Sequence, residues 1–175
     1  CLCPPTALGS DVPDGVRLVV QGASVTAVVS TGANIYGYVA TIAQLAAGNA
    51  GAWTQFTIAS DCGIADAFDA DAIDADAWAI AYVNTSGGAS DVTVKRVDGS
   101  TILETATRNT GGATAAVALR RRASDTLWRA YSPSATVGVG GYDPEDLTSV
   151  VASGSITGAQ GNISRLAIAI GSTAG

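Results

Sequence analysis

Apolar and polar residues alternate along much of this chain in short runs, and Gly, Ser, Asn or Asp interrupts them at close intervals. A period of two sends successive side chains to opposite faces of an extended backbone, so the pattern predicts strands. Val16 to Val20 and Val25 to Ser30, joined through Gln21-Gly22-Ala23, predict a first hairpin. Tyr36 to Ile42 and Trp53 to Ala59 are further candidate strands. Val92 to Val97 and Thr101 to Thr107 flank Asp98-Gly99, a dipeptide suited to the positive φ of tight hairpins. A third hairpin joins Val117 to Arg122 with Thr126 to Ser132 across Ala123-Ser124-Asp125, and Val150 to Ile156 and Arg165 to Ile170 close the series.

One candidate differs from the rest. Trp78 to Val83 reads WAIAYV, with Trp78, Ile80 and Tyr82 on one face and Ala79, Ala81 and Val83 on the other. A strand apolar on both faces belongs inside a layered structure. Helical character is confined to Ile42 to Ala50, an Ala-rich stretch ending near glycine that is good for one or two turns. Three segments, starting at Val16, Val92 and Val117, repeat the order strand, small polar turn, strand. Any antiparallel sheet repeats hairpins, so the unit is the up-and-down hairpin whether or not the sequence was duplicated. Many short strands between regular turns predict an all-β fold, a sandwich or barrel. Residues 1–14 read as a Cys/Pro-rich arm, and residues 15–175 as a single β-sandwich domain.

Composition narrows the function. The 175 residues carry a formal net charge of −6, with Lys95 the single lysine. Phosphate backbones need a positive footprint, so nucleic acid is not an expected partner. The chain contains no histidine. That excludes Ser-His-Asp and Cys-His catalysis and histidine-based zinc sites. Charges, Gly and Pro interrupt every apolar run before the roughly 18 residues of a helical membrane span, so none is expected. Of the cysteines, Cys1 and Cys3 lie too close together to pair comfortably. Two readings remain: three free thiols, or a disulfide tying the arm to the body, Cys3 with Cys62.

The densest chemistry lies in DCGIADAFDADAIDAD, with aspartates at 61, 66, 69, 71, 74 and 76. Oxygen-rich clusters suit Ca²⁺, which accepts six to eight oxygens in forgiving geometry. Asp69, Asp71, Asp74 and Asp76 are therefore candidate calcium ligands. The competing reading is a solvated edge whose like charges simply face water. Only two glutamates occur, Glu104 and Glu145, both beside turn-like sequence. They do not suggest the acid and base or nucleophile of a glycosidase, and no catalytic residue is assigned. Arg120, Arg121 and Arg122 form the sole basic cluster. Alternation sends Arg121 to one face and its neighbours to the other, so at least one guanidinium must lie against a sheet layer or pair with an aspartate. Trp128, Tyr131 and Tyr142 adjoin turn residues and are candidates to stack on sugar rings. Gly138, Gly140 and Gly141 precede Tyr142-Asp143-Pro144 rather than a helix, so they do not read as a phosphate loop.

From Trp78 to Ile170 the chain resembles the concanavalin A-like, laminin-G-like jelly-roll superfamily. The carrying features are the Trp-bearing strand WAIAYV, the strand-turn-strand ALRRRASDTLWRAYSPS with its Tyr131-Ser132-Pro133 ending, and the closing ISRLAIAIG. The Ala/Gly/Thr-rich, lysine-poor composition is similar to that of bacteriophage virion proteins. The resemblance implies an antiparallel jelly-roll β-sandwich. It also implies a non-enzymatic, extracellular or virion structural protein of the head-fibre, tail-fibre or decoration type, assembling with itself or with other virion or surface proteins. A carbohydrate-binding module, calcium-assisted through the aspartates and binding a surface glycan, is the alternative expectation.

Overall fold

The computed structural model describes residues 13–49, 51–85, 91–108, 110, 114–122, 126–133, 136–157 and 166–169. Twelve strands run through them. They are β1 (Gly15–Gln21), β2 (Ser24–Thr31), β3 (Asn34–Thr41), β4 (Thr54–Ala59), β5 (Phe68–Ala72), β6 (Trp78–Asn84), β7 (Asp91–Asp98), β8 (Thr101–Arg108), β9 (Thr114–Arg121), β10 (Leu127–Pro133), β11 (Val137–Tyr142) and β12 (Val150–Ile156). They form three antiparallel sheets of four strands, and within each sheet hydrogen-bonded neighbours are consecutive in sequence. Sheet A holds β1 to β4, sheet B β5 to β8 and sheet C β9 to β12. The expected all-β sandwich is present. Its winding is that of three meanders, and the interleaved strand order of a jelly roll is not seen among the described strands.

Local sequence accounts for most of these elements. Gln21 faces Ser24 across the first predicted turn, and Asp98 faces Thr101 across the second. Gly99 takes φ +54° there, a conformation that costs glycine nothing and strains other L-residues. The predicted helix shortens to α1 (Ile42–Ala46). A capping box starts it: Thr41 Oγ1 accepts from the Gln44 N–H, and Gln44 Oε1 accepts from the Thr41 N–H. It buries no residue, so packing gives it no reason to run on. Two strands, β5 and β11, lie where none was predicted. Residues 166–169 carry no strand, contrary to the expectation for Arg165 to Ile170, whose two end residues lie outside the described residues.

The layers stack through β6, all seven of whose residues are buried. Trp78, Ile80 and Tyr82 pack with Val19, Val28, Ile35 and Ile58 of sheet A. Ala79, Ala81 and Val83 pack with Leu119 and Leu127 of sheet C, and with Leu147. Sheet B is thus the middle of three layers, which is why WAIAYV has no polar face. Each fully buried Ile or Leu in these clusters contributes roughly 1.5–3 kcal/mol relative to exposure. Small alanines on the C-facing side let the two sheets approach closely. On the outer face of sheet A, Ala27, Val29 and Tyr38 form a smaller cluster with Tyr36 and Trp53 packed against it.

Candidate functional site

The aspartates of β5 do not stand in water. Asp69 and Asp71 lie two residues apart on one face of the strand, a spacing of roughly 6.6 Å. Sheet C presents its edge strand β9 to them, and alternate backbone N–H groups along that edge have the same repeat. Leu119 N–H donates to Asp69 Oδ2 at 3.0 Å, and Arg121 N–H donates to Asp71 Oδ2 at 2.8 Å. The carboxylates thus take the place of the missing strand's carbonyls. An arginine supplies one of its donors: Arg120 Nη1 reaches the Leu119 carbonyl at 2.7 Å.

Asp69 also joins all three sheets. Its Oδ1 accepts from Arg17 Nε of β1 at 3.3 Å, and its Oδ2 accepts from Arg120 Nη1 at 3.1 Å. The arginine cluster therefore does pair with an aspartate, through Arg120. Asp74 Oδ1 accepts from the Asp76 and Ala77 N–H groups at 2.7 Å each, closing the β5–β6 turn, and Asp76 is exposed. The four candidate calcium ligands thus split between an inter-sheet joint and a turn. Among the described residues no three acidic, cysteine or histidine side chains gather to hold a metal ion. The four carboxylates do not form one ligand set, because those at 69 and 71 face β9 while that at 74 closes the β5–β6 turn.

A second polar centre lies on the inner face of sheet C. Antiparallel register sets Arg129 against Gly140 and Tyr131 against Gly138, and β11 in turn sets these glycines against Ser153 and Ser155. Glycine is a steric requirement at 138, where a Cβ would overlap the Tyr131 ring; at 140 a Cβ would stand in ordinary contact, 3.4 Å from Arg129 Nη2. A hollow of about 450 Å³ lies over Gly140, lined by Arg108, Arg129, Tyr131, Tyr142 and the β12 serines. Arg129 is 4% exposed. Its Cζ lies 4.7 Å from the centroid of the Tyr131 ring and 5.1 Å from that of Tyr142. Burial lowers the Arg129 pKa, and burial raises that of the Tyr142 hydroxyl against the pull of Arg129 and Arg108.

This arrangement separates the three aromatic candidates. Tyr131 and Tyr142 share the hollow, but Tyr142 is 1% exposed and cannot serve as an open platform. Trp128 lies apart from them, lining an apolar groove of about 640 Å³ with Val137, Ile156 and residues 166–169. Sequence reasoning passed over Arg129. The signal was there: in LWRAY, alternation puts the guanidinium on the same face as Leu127 and Tyr131, where an arginine must either find a partner or serve a purpose.

The remaining candidates are placed simply. Cys62 is a buried free thiol donating to the Ile64 carbonyl at 3.3 Å, and burial pushes its pKa up to about 11. Cys3, its expected disulfide partner, lies outside the described residues. Glu104 sits on β8 opposite Arg96, and Glu145 is exposed in the 143–149 turn. Lys95 donates to the Ile58 carbonyl at 2.6 Å, tying sheet B to sheet A. No helix among the described residues is long and apolar enough to cross a membrane. No protein-family model matches this chain, and neither a curated protein nor a solved structure matches it.

Proposed function

We propose that this chain is a non-enzymatic structural module of extracellular or virion type, working through protein–protein contacts and surface adhesion. One observation carries the reading. On β1, Val16, Leu18 and Val20 are 50%, 69% and 57% exposed and share a face, while their alternates Arg17, Val19 and Gln21 turn inward. β12 adds Val150, Val151 and Ile156, also open to solvent. Apolar rows of this kind on outlying strands mark contact surfaces, because a free monomer gains nothing from wetting them. Small side chains and few charges suit broad contacts.

Copies of the chain, or other virion or surface proteins, are the partners this surface fits. Sedimentation of the purified chain should give an oligomer or a particle-bound species, and Leu18→Asp should shift it to the monomer with unchanged circular dichroism. A clean monomer at every concentration would overturn the reading. The hollow lined by Tyr131 favours a second reading, a carbohydrate-binding module, tested on a glycan array with Trp128→Ala and Tyr131→Ala.

A further inference from the structure

The inner face of sheet C holds a positive charge that the described residues leave unanswered. Among the described residues the ion-paired arginines are Arg17 and Arg120, and both use Asp69. Among the same residues Arg129 has no ion pair, and its buried Nε and Nη1 make no hydrogen bond. Among the described residues, the neutral rings of Tyr131 and Tyr142 pack against its guanidinium, and a second arginine, Arg108, lies on the Tyr142 ring. Tyrosine faces offset part of the cost of burying a guanidinium, but an unpaired buried cation is normally answered by an anion.

We propose that the hollow over Gly140 binds the oxyanion group of a small acidic ligand, with Arg129 as its main cationic partner and Arg108 at its rim. The site is built rather than incidental. Arg108 Nη2 is anchored on the Thr148 carbonyl at 2.9 Å, and its Cζ lies 6.0 Å from the Tyr142 ring centroid, so the two guanidiniums flank one ring. Ser153 and Ser155 bring hydroxyl donors to the opposite wall. The volume of about 450 Å³ admits a ligand of monosaccharide size. A carboxylate of an acidic sugar and a sulfate or phosphate ester both present an oxygen that can accept from Arg129 Nη2, which stands over Gly140, while Nε and Nη1 stay buried behind it. Local positive potential inside a chain of net charge −6 also selects against neutral sugars.

The inference is independent of the assembly reading, since a monomer keeps the hollow intact. Titration calorimetry on the full chain, at ionic strength matched with sodium chloride, tests it with sodium glucuronate, sodium sulfate and glucose. Glucuronate or sulfate should bind with Kd near or below about 1 mM, a free energy of about −4 kcal/mol. Glucuronate alone assigns the site to an acidic sugar, and sulfate alone to a sulfate or phosphate ester. Arg129→Gln should abolish binding and Arg108→Gln weaken it about tenfold. Arg108 is only half-buried and guards against failure of the Arg129 variant to fold. The proposal falls if neither anion binds, if glucose binds as tightly, or if Arg108→Gln and a folded Arg129→Gln both keep wild-type affinity.

Discussion

Replacing Asp69 by alanine removes the joint between the three sheets, and its cost can be worked from the contacts. Leu119 is fully buried, so its N–H would lose its carboxylate with no water to take over. An orphaned buried donor costs roughly 1–3 kcal/mol. The two arginine contacts are worth less, because the Arg17 and Arg120 side chains are 42% and 43% exposed. Pairs that open to solvent contribute about 0–1 kcal/mol each. The sum is about 3 kcal/mol, with roughly 1–5 as the span. At about 2–4 °C per kcal/mol for a chain of this size, Tm should fall by roughly 6–12 °C.

Urea and thermal unfolding followed by circular dichroism measure that loss, with Asp76→Ala as control because Asp76 is exposed. The urea m-value should stay unchanged, since the surface exposed on unfolding is the same. Salt separates the two contributions. At about 1 M the screening length is about 3 Å, so the ion pairs fade while the buried N–H deficit stays. Asp69→Asn keeps an acceptor oxygen and should lose about half as much as alanine. An Asp69→Ala variant within about 0.5 kcal/mol of the Asp76 control would refute the argument, because ordinary surface changes fall in that range.

Three further outcomes are expected. Burial raises the Cys62 pKa from 9.0 to about 11 and raises that of Tyr82 above 10.0. The unfolded chain therefore deprotonates first; these groups' stabilisation is whole below pH 9, declines as pH rises through about 11, and in Cys62→Ala starts to decline only near pH 10, as urea midpoints against pH would show. Gly138→Ala should cost about 1–3 kcal/mol by driving a methyl into the Tyr131 ring. Gly154→Ala, whose added Cβ meets nothing within 4 Å, should be neutral; equal Tm losses in the two would contradict the steric account. Finally, EDTA should leave Tm unchanged, and a fall of several degrees reversed by Ca²⁺ would restore the aspartates as metal ligands.

Much of the fold was legible where side-chain alternation and turn chemistry agreed, as in VTVKRVDGSTILET, which forms β7 and β8. WAIAYV announced the central strand because no polar face remained to meet water. β5 and β11 were hidden for a physical reason: FDADA and VGVGGY are rich in Asp and Gly, which strands usually avoid. Those residues are strand-forming here because of partners distant in sequence. Asp69 meets Leu119, and Gly138 gives room to Tyr131. The same holds for the candidate site. Tyr131 and Tyr142 were visible as aromatics, but the glycine floor and the unanswered charge of Arg129 appear only once β10, β11 and β12 lie in register.

The aspartate-covered edge of β9 also gives the molecule a direction. Its outward N–H groups at 119 and 121 are already occupied, so that end of the margin offers no template on which a foreign strand could nucleate. The other margin of sheet C, β12, carries no such cover among the described residues. Strand addition to this sheet is therefore favoured at β12 over the 119–121 end of β9.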